Sequence, residues 1–163
     1  MGASEQEAIR EMDIHDQIKD HPNIIGLFGY GVHQGSTIFI FLEFASLGPL
    51  DKLDISGNSK AFFSLASDLS SGLDYMHSKG FLHRDLKPEN VLVFKEGFKL
   101  TDFGLAKAAV EVERDDALRG TEGFHPICDN SVYLSEHLQS PATDIYALGF
   151  RLNTLQFSFR YTP

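Results

Sequence analysis

Residues 83–90 read His83-Arg84-Asp85-Leu86-Lys87-Pro88-Glu89-Asn90, and Asp102-Phe103-Gly104 begins 12 residues after Asn90. An Asp-Phe-Gly triplet by itself is short enough to occur by chance in many proteins. Eight consecutive residues with a second motif at a short distance form a much more specific pattern. The sequence around the two motifs therefore decides what they mean.

The motifs lie between a predicted helix and a predicted hairpin. Apolar residues recur at intervals of three and four between positions 60 and 79, which predicts a helix with one buried face and Gly80 as its C-terminal cap. Two short apolar runs, 91–94 and 98–101, follow the first motif, and Lys95-Glu96-Gly97 between them predicts a hairpin turn. The order is thus helix, polar loop, hairpin and second motif.

The rest of the chain predicts further helices and one more pair of strands. Residues 4–20 have a loosely helical spacing of apolar residues, which His21-Pro22-Asn23 ends. The runs 24–30 and 37–44 predict paired strands, and Gly29-Tyr30-Gly31 with Gly35 is interpreted as a turn. Residues 105–140 predict a long loop with short helical pieces, and residues 142–157 predict a buried helix.

The composition is that of an ordinary soluble globular chain. Its 163 residues are enough for one domain, and its formal net charge of −9 argues against a nucleic-acid-binding protein. The only cysteine, Cys128, cannot form an internal disulfide, which fits a reducing compartment. The sequence contains neither a secretory pattern nor an apolar run of the roughly 18 residues that a membrane span needs. We therefore expect an intracellular, cytoplasmic protein with no membrane span.

Taken together, the motifs and their setting resemble the eukaryotic protein kinase family. Lys87, two residues after Asp85, is the form found in Ser/Thr-directed members. The resemblance implies an α+β, protein-kinase-like two-lobe fold that is truncated at both ends. Residues 1–46 correspond to a remnant of the small lobe, from regulatory helix to hinge, and residues 47–163 to most of the helical large lobe.

The resemblance also assigns roles for transferring the γ-phosphoryl group of ATP to a protein Ser or Thr hydroxyl. Asp85 is the base that accepts the hydroxyl proton, and Lys87 neutralises charge on the γ-phosphate. Asn90 and Asp102 supply the hard oxygen ligands that Mg²⁺ prefers. Thr121, in a segment that receives the substrate, would hydrogen-bond to Asp85 and Lys87.

Other residues follow in the order that the family shows. The stretch Leu42-Glu43-Phe44-Ala45 resembles the hinge, with Leu42 as gatekeeper. The resemblance implies that Glu43 and Ala45 hydrogen-bond adenine through their backbone, and that Leu92 also contacts ATP. Glu11 resembles the glutamate of the regulatory helix, and a solvated helix glutamate is its rival interpretation.

Two further features concern the core beneath the motifs. Asp144 resembles the buried aspartate that accepts backbone hydrogen bonds near His83 and Arg84. The resemblance also implies a stack of Leu27, His83 and Phe103, completed by His15 or Ile14.

Three family features are absent from the sequence. No Gly-rich phosphate loop and no Val-Ala-Ile-Lys strand precede Glu11, and His125-Pro126-Ile127-Cys128 stands where Ala-Pro-Glu is expected. We therefore expect a catalytic domain that is incomplete at both ends. The alternatives are a catalytically inactive, kinase-like scaffold module and an inactive truncated fragment. The retained Asp85, Asn90 and Asp102 favour catalysis.

Overall fold

The computed structural model of this chain describes residues 3–33, 37–55, 57–111 and 140–158. It has helices and three small antiparallel sheets, in agreement with the predicted α+β class. In chain order the helices and strands are α1 (Ala3–Ile18), β1 (Leu27–His33), β2 (Thr37–Leu42), α2 (Ser59–Ser78), β3 (Phe81–Leu82), β4 (Val91–Phe94), β5 (Gly97–Leu100), β6 (Lys107–Ala108) and α3 (Pro141–Ser158). Within those residues, no helix is both long and apolar enough to cross a membrane.

Helix α2 is the central element of the core, and its bounds agree with the predicted helix 60–79. The Asn58 side chain caps its first turn by accepting a hydrogen bond from the Ala61 amide at 3.0 Å. The buried face of α2 consists of Leu65, Leu69, Gly72, Leu73 and Met76. A Cβ atom at Gly72 would lie 3.0 Å from the Asn23 carbonyl oxygen and 3.1 Å from a Leu100 methyl. Glycine therefore lets two other segments approach the middle of this helix.

The first predicted strand begins later than expected. Strand β1 starts at Leu27 rather than at residue 24, because the preceding residues bond to β5 instead of β2. The Ile25 amide donates to the Leu100 carbonyl at 2.9 Å, and the Leu100 amide donates to the Asn23 carbonyl at 2.9 Å. These bonds join the connection after α1 to the strand that leads into Asp102.

The interpretation of Gly29-Tyr30-Gly31 as a turn is wrong. All three residues lie in β1, where Gly29 pairs with Phe41 and Gly31 with Phe39. The large aromatic side chains of β2 thus stand beside glycines of β1, which supports strand pairing where glycine alone would weaken it. Gly35 lies outside the described residues.

The predicted hairpin after the first motif is present with a shorter turn. Phe94 pairs with Gly97, so Gly97 is the first residue of β5 and only Lys95 and Glu96 form the turn. The Asp68 carboxylate of α2 accepts a hydrogen bond from the Phe98 amide at 3.0 Å. This contact places the start of β5 on α2.

Two parts of the long loop predicted for residues 105–140 are described. Strand β6 pairs with β3, and a short 3₁₀ helix follows at Ala109–Glu111. The predicted helix 142–157 is observed as α3, but it is only partly buried, because Ala147 and Leu148 lie in the core while Ile145 and Tyr146 are exposed. Thr121 and the stretch His125-Pro126-Ile127-Cys128 lie outside the described residues.

Candidate active site

The first motif forms a loop between β3 and β4 that one buried carboxylate holds in place. Asp144, at the start of α3, is 2% exposed and accepts hydrogen bonds from the backbone amides of His83 and Arg84, each at 2.9 Å. Arg84 has a φ angle of 70°, a left-handed conformation that is unusual for a residue other than glycine. The Asp144 carboxylate therefore fixes a strained turn of the backbone immediately before Asp85.

A histidine of α2 completes the surroundings of this carboxylate. His77 Nε2 lies 2.8 Å from Asp144 Oδ2. Burial by itself raises the pKa of Asp144, but the His77 hydrogen bond, the nearby His83 and the two backbone amides outweigh it, and the pKa is lowered. Asp144 thus remains a carboxylate inside the core. Sequence reasoning did not single out His77, because a histidine in the last turn of a helix has many ordinary explanations.

Three predicted site residues are in direct contact with one another. Lys87 Nζ lies 2.5 Å from Asp85 Oδ2, and the Asn90 side-chain amide donates to the same oxygen at 3.0 Å and to the Asp85 carbonyl at 2.9 Å. The hydrogen bond to Asp85 raises the pKa of Lys87, so the ammonium remains charged. Asp85 and Asn90 are buried, whereas Lys87 is partly exposed. The loop therefore presents a carboxylate and a cation in one place.

The His83 ring connects this loop to the second motif. It lies 3.2 Å from the Thr101 carbonyl through Nε2, and the Thr101 amide donates to the Asn90 carbonyl at 3.0 Å. The Phe103 ring contacts His83, with 5.5 Å between ring centroids, and His15 of α1, with 4.8 Å. The sequence left two candidates, His15 and Ile14, for the residue that completes this stack. In the structure it is His15 that contacts Phe103.

Burial acts against the charged form of both histidine rings in this stack. Burial lowers the pKa of His83 and of His15, in each case against smaller opposing effects. His15 also keeps its place through a 2.8 Å hydrogen bond between its Nε2 and the Ile25 carbonyl. The stack therefore joins α1, the first motif and the second motif through ring contacts and hydrogen bonds.

Asp102 is held with its carboxylate toward solvent. Its φ angle is 62°, and its side chain is exposed while Phe103 beside it is fully buried. Asp102 Oδ1 accepts a long hydrogen bond of 3.4 Å from the Gly104 amide. The left-handed backbone thus directs the phenyl ring into the core and the carboxylate outward.

Glu11 of α1 also faces this second motif. Its Oε2 lies 3.4 Å from the position that a Cβ atom would occupy at Gly104. Burial, together with the negative charge of Asp102, raises the pKa of Glu11. The predicted regulatory-helix glutamate therefore points at the Asp-Phe-Gly motif and is not an isolated solvated residue.

The segment predicted to contact adenine follows β2 and lies against β4. The Gly48 carbonyl accepts a hydrogen bond from the Val93 amide at 2.9 Å, and Pro49 forms an isolated bridge with Leu92. The Ala45 carbonyl accepts from the Gly48 amide at 3.1 Å, which makes a tight turn. These bonds bring the segment that contains Glu43 and Ala45 next to the strand that contains Leu92.

One feature of this segment was missed by sequence reasoning. The Glu43 side chain forms an ion pair with Lys99 of β5, at 2.6 Å from Nζ to Oε2. Only the backbone of Glu43 was assigned a role, because the two residues lie 56 positions apart and no local pattern joins them. Thr121, the remaining predicted site residue, lies outside the described residues.

Comparisons with known proteins agree with this arrangement. The family model described as "Protein kinase domain" matches residues 2–161. An Aurora kinase of Eremothecium gossypii is 32% identical over 150 residues, which cover 89% of this chain and 39% of that protein. The serine/threonine-protein kinase CHK1 of Saccharomyces cerevisiae is 32% identical over 166 residues, which cover 95% of this chain and 31% of that protein.

CBL-interacting protein kinase 26 of Oryza sativa subsp. japonica is 38% identical over 137 residues, 80% of this chain and 26% of that relative. The chain thus spans about a quarter to two fifths of the length of these curated relatives. The family model covers nearly all of the chain, including the loop that Asp144 holds. The chain belongs to the protein kinase domain family.

Proposed function

We propose that this chain is part of a Ser/Thr protein kinase catalytic domain that transfers the γ-phosphoryl group of ATP to a protein hydroxyl. The observation that carries the proposal is the contact of Asp85 with both Lys87 and Asn90, close to the exposed carboxylate of Asp102. The relatives named as serine/threonine kinases support the choice of acceptor. The predicted division into a small-lobe part, 1–46, and a large-lobe part, 47–163, belongs to the same proposal.

In the proposed reaction a substrate hydroxyl oxygen bonds to the γ-phosphorus while the bond from that phosphorus to the β,γ-bridging oxygen breaks. The hydroxyl proton passes to Asp85, whose carboxylate is oriented by the Asn90 amide. Lys87, held charged beside it, lowers the energy of the negative charge that moves onto the transferring oxygens. The assigned substrate contact of Thr121 remains part of this proposal.

The residues present fit a bound Mg²⁺. The Asn90 side chain donates both of its described hydrogen bonds through Nδ2, which leaves the amide oxygen for a cation, and Asp102 has an exposed carboxylate. Both are hard oxygen ligands of the kind that Mg²⁺ prefers. When bound, the ion would neutralise negative charge on the phosphates.

ATP would occupy the space beside the hinge, with adenine against the backbone of Glu43 and Ala45 and against Leu92. The proposal includes no nucleic-acid partner, since the formal net charge is −9. A cytoplasmic location is proposed from the single cysteine.

Binding of Mg²⁺ and ATP to the 163-residue chain tests the proposal directly. Calorimetry or NMR titration should show weak ATP binding that requires Mg²⁺, because the chain contains neither a Gly-rich loop nor the Val-Ala-Ile-Lys lysine. Asp102→Asn should abolish the Mg²⁺-dependent binding of ATP, whereas Asp85→Asn should leave that binding nearly intact. Asp74→Asn, on the exposed face of α2, is the matched control. Near-micromolar binding that is indifferent to EDTA, or no binding at all, would contradict the proposal.

Transfer itself is tested with labelled ATP and an array of Ser and Thr peptides. We expect Asp85→Asn to abolish any transfer that the unaltered protein shows while ATP binding persists, because Asp85 contacts the acceptor and not the nucleotide. Unchanged transfer in that variant would remove Asp85 from the mechanism.

A kinase-like module without catalysis is the second candidate. It is favoured by the sequence, in which His125-Pro126-Ile127-Cys128 stands where the family has Ala-Pro-Glu. An inactive module would bind partners equally well with Asp85→Asn and Asp102→Asn, whereas a kinase would lose transfer with either.

A further inference from the structure

The carboxylate of Glu43 lies where three segments of the chain meet. Lys99 Nζ donates to Oε1 at 2.9 Å and to Oε2 at 2.6 Å, and the Gly26 amide donates to Oε2 at 3.2 Å. The Glu43 amide in turn donates to the Gly26 carbonyl at 2.9 Å. Glu43 therefore contacts both the connection before β1 and strand β5 through its side chain.

The charge of Glu43 is maintained by these contacts. Burial alone raises the pKa of Glu43, but the hydrogen bonds from Lys99 and Gly26 and the positive charge of Lys99 outweigh it, so the pKa is lowered. Both side chains are only partly exposed, at 30% for Glu43 and 21% for Lys99. Such a pair is screened less than one on an open surface.

The residue at position 26 allows this close approach. A Cβ atom at Gly26 would lie 3.2 Å from Glu43 Oε2 and 3.4 Å from Glu43 Cβ. Even a methyl group there would make a tight contact, so the Glu43 side chain would have to shift by a few tenths of an ångström. Glycine at this position therefore belongs to the same arrangement as the ion pair.

On the other side, Lys99 is held by the strand that leads into Asp102. Its ammonium lies 4.8 Å from the centroid of the Phe94 ring, a favourable cation–π contact across the hairpin. Two residues, Leu100 and Thr101, separate it from Asp102, and β5 is fixed to the connection after α1 by the bonds of Leu100. The hydrogen-bonded backbone of β5 thus fixes the position of Lys99 relative to Asp102, the proposed Mg²⁺ ligand.

We propose that Glu43 and Lys99 form a positioning pair that sets the adenine-contacting backbone of residues 43–45 relative to Asp102. The pair acts through the backbone of the hinge and touches neither adenine nor metal itself. It fixes the separation between the site for the base and the site for the phosphates, so that one nucleotide can occupy both. This inference rests on the proposed function, because it presumes that the hinge binds adenine.

Separate binding measurements for the two ends of the site provide the test. NMR titration of the 163-residue chain with adenosine reports the hinge, and paramagnetic broadening by Mn²⁺ reports Asn90 and Asp102. Lys99→Met and Glu43→Gln should each weaken adenosine binding about three- to tenfold, which corresponds to roughly 0.7 to 1.4 kcal/mol. The double variant should be no weaker than the weaker single variant, and Mn²⁺ binding should be unchanged in all three.

The hairpin offers matched controls. Lys95→Met and Glu96→Gln change the same residue types at exposed positions of the β4–β5 turn, and we expect them to alter neither measurement. Gly26→Ala should reproduce the loss of adenosine binding, since it displaces the carboxylate without removing a charge. Hydrogen exchange at the amides of Glu43 and Gly26 should be faster in Lys99→Met than in Lys95→Met.

Each other outcome overturns the inference. Equal loss of adenosine and Mn²⁺ binding would show a merely structural role, and additive losses would show that the two residues act independently. Tighter adenosine binding in Lys99→Met would show that the pair restrains the hinge and does not position it. Failure of the proposed function is distinguished by the unaltered chain, which would then bind neither adenosine nor ATP with Mg²⁺.

Discussion

Replacing Asp144 tests the part of the structure on which the catalytic loop depends. Asp144→Ala removes the acceptor for the amides of His83 and Arg84 and for the His77 ring, all within 2.9 Å. Removing one partner of a buried charged network typically costs about 3–5 kcal/mol. Asp144→Asn keeps one acceptor oxygen and loses the charge, so a smaller loss of about 1–3 kcal/mol is expected.

Urea unfolding followed by circular dichroism measures both losses. The Asn variant keeps the prediction testable if the Ala variant does not fold. Asp74→Ala is the matched control, because Asp74 is an exposed aspartate of α2, and its free energy of unfolding should change by less than about 0.5 kcal/mol. Hydrogen exchange at the amides of His83 and Arg84 should accelerate in both Asp144 variants and not in the control.

The pH dependence of the same variants gives an independent check. The pKa of Asp144 is lowered in the folded chain, so its contribution to stability is present above the ordinary aspartate value near 4 and lost as the pH falls below it. Asp144→Asn should therefore be closest to the unaltered chain in stability at the lowest pH. A loss under about 1 kcal/mol for Asp144→Ala at pH 7, with unchanged exchange at His83 and Arg84, would refute this account of the loop.

Three further predictions concern the core and the surface. His15→Phe should make stability less dependent on pH between 7.5 and 5.5, since burial lowers the pKa of His15 and the unfolded chain therefore binds the proton more tightly. Equal slopes of urea midpoint against pH for the variant and the unaltered chain would contradict this. Gly72→Ala should lower the melting temperature because its methyl group would lie 3.0 Å from a backbone oxygen, whereas Gly149→Ala in α3 meets nothing within 4 Å and should raise stability by about 0.5–1 kcal/mol. A change of stability in the same direction for both variants would argue against the packing around α2. The chain should self-associate through the uncharged pair β1–β2, where Phe41 is 58% exposed, and Phe41→Lys should shift sedimentation velocity profiles toward monomer; unchanged profiles would exclude that surface.

Local sequence patterns predicted the elements whose burial follows a simple period. The helix expected over 60–79 is observed as Ser59–Ser78, because one face of apolar residues every three to four positions can be buried only in a helix. The hairpin of β4 and β5 was likewise expected from two short apolar runs. In both elements the contacts that matter lie near in sequence or on one face.

Patterns failed where distant residues compete for the same backbone. Ile24 and Ile25 have the apolar character of a strand, yet Ile24 forms an isolated bridge with Leu100 and the Ile25 amide donates to the Leu100 carbonyl. Strand β1 therefore begins only at Leu27. The glycines of β1 suggested a turn because nothing in their own segment shows that Phe39 and Phe41 stand beside them. Such choices depend on tertiary neighbours and not on local propensity.

The two strained residues of the site could be identified from their motifs, whereas their backbone conformation depends on residues that are distant in sequence. Arg84 and Asp102 are the two residues other than glycine with positive φ in the described ranges, and each costs on the order of 1–3 kcal/mol. Motif spacing identifies both residues, but the Asp144 bond that holds Arg84 spans 60 positions. Local patterns do not extend over that distance, and the Asp144 bond was expected only through the resemblance to the protein kinase family.

The two strained residues are held by one connected set of bonds. The His83 ring contacts the Thr101 carbonyl immediately before Asp102, while the His83 amide donates to Asp144, which also holds Arg84. A substitution at Asp144 should therefore alter the backbone at both motifs, because His83 contacts both the turn before Asp85 and the turn at Asp102. Left-handed backbone occurs at Arg84, immediately before the buried Asp85, and at Asp102, whose carboxylate is exposed, while the His83 and Phe103 rings remain in the core. The cost in backbone strain is consistent with a site whose chemistry requires both carboxylates together, and a structural core alone would not need it.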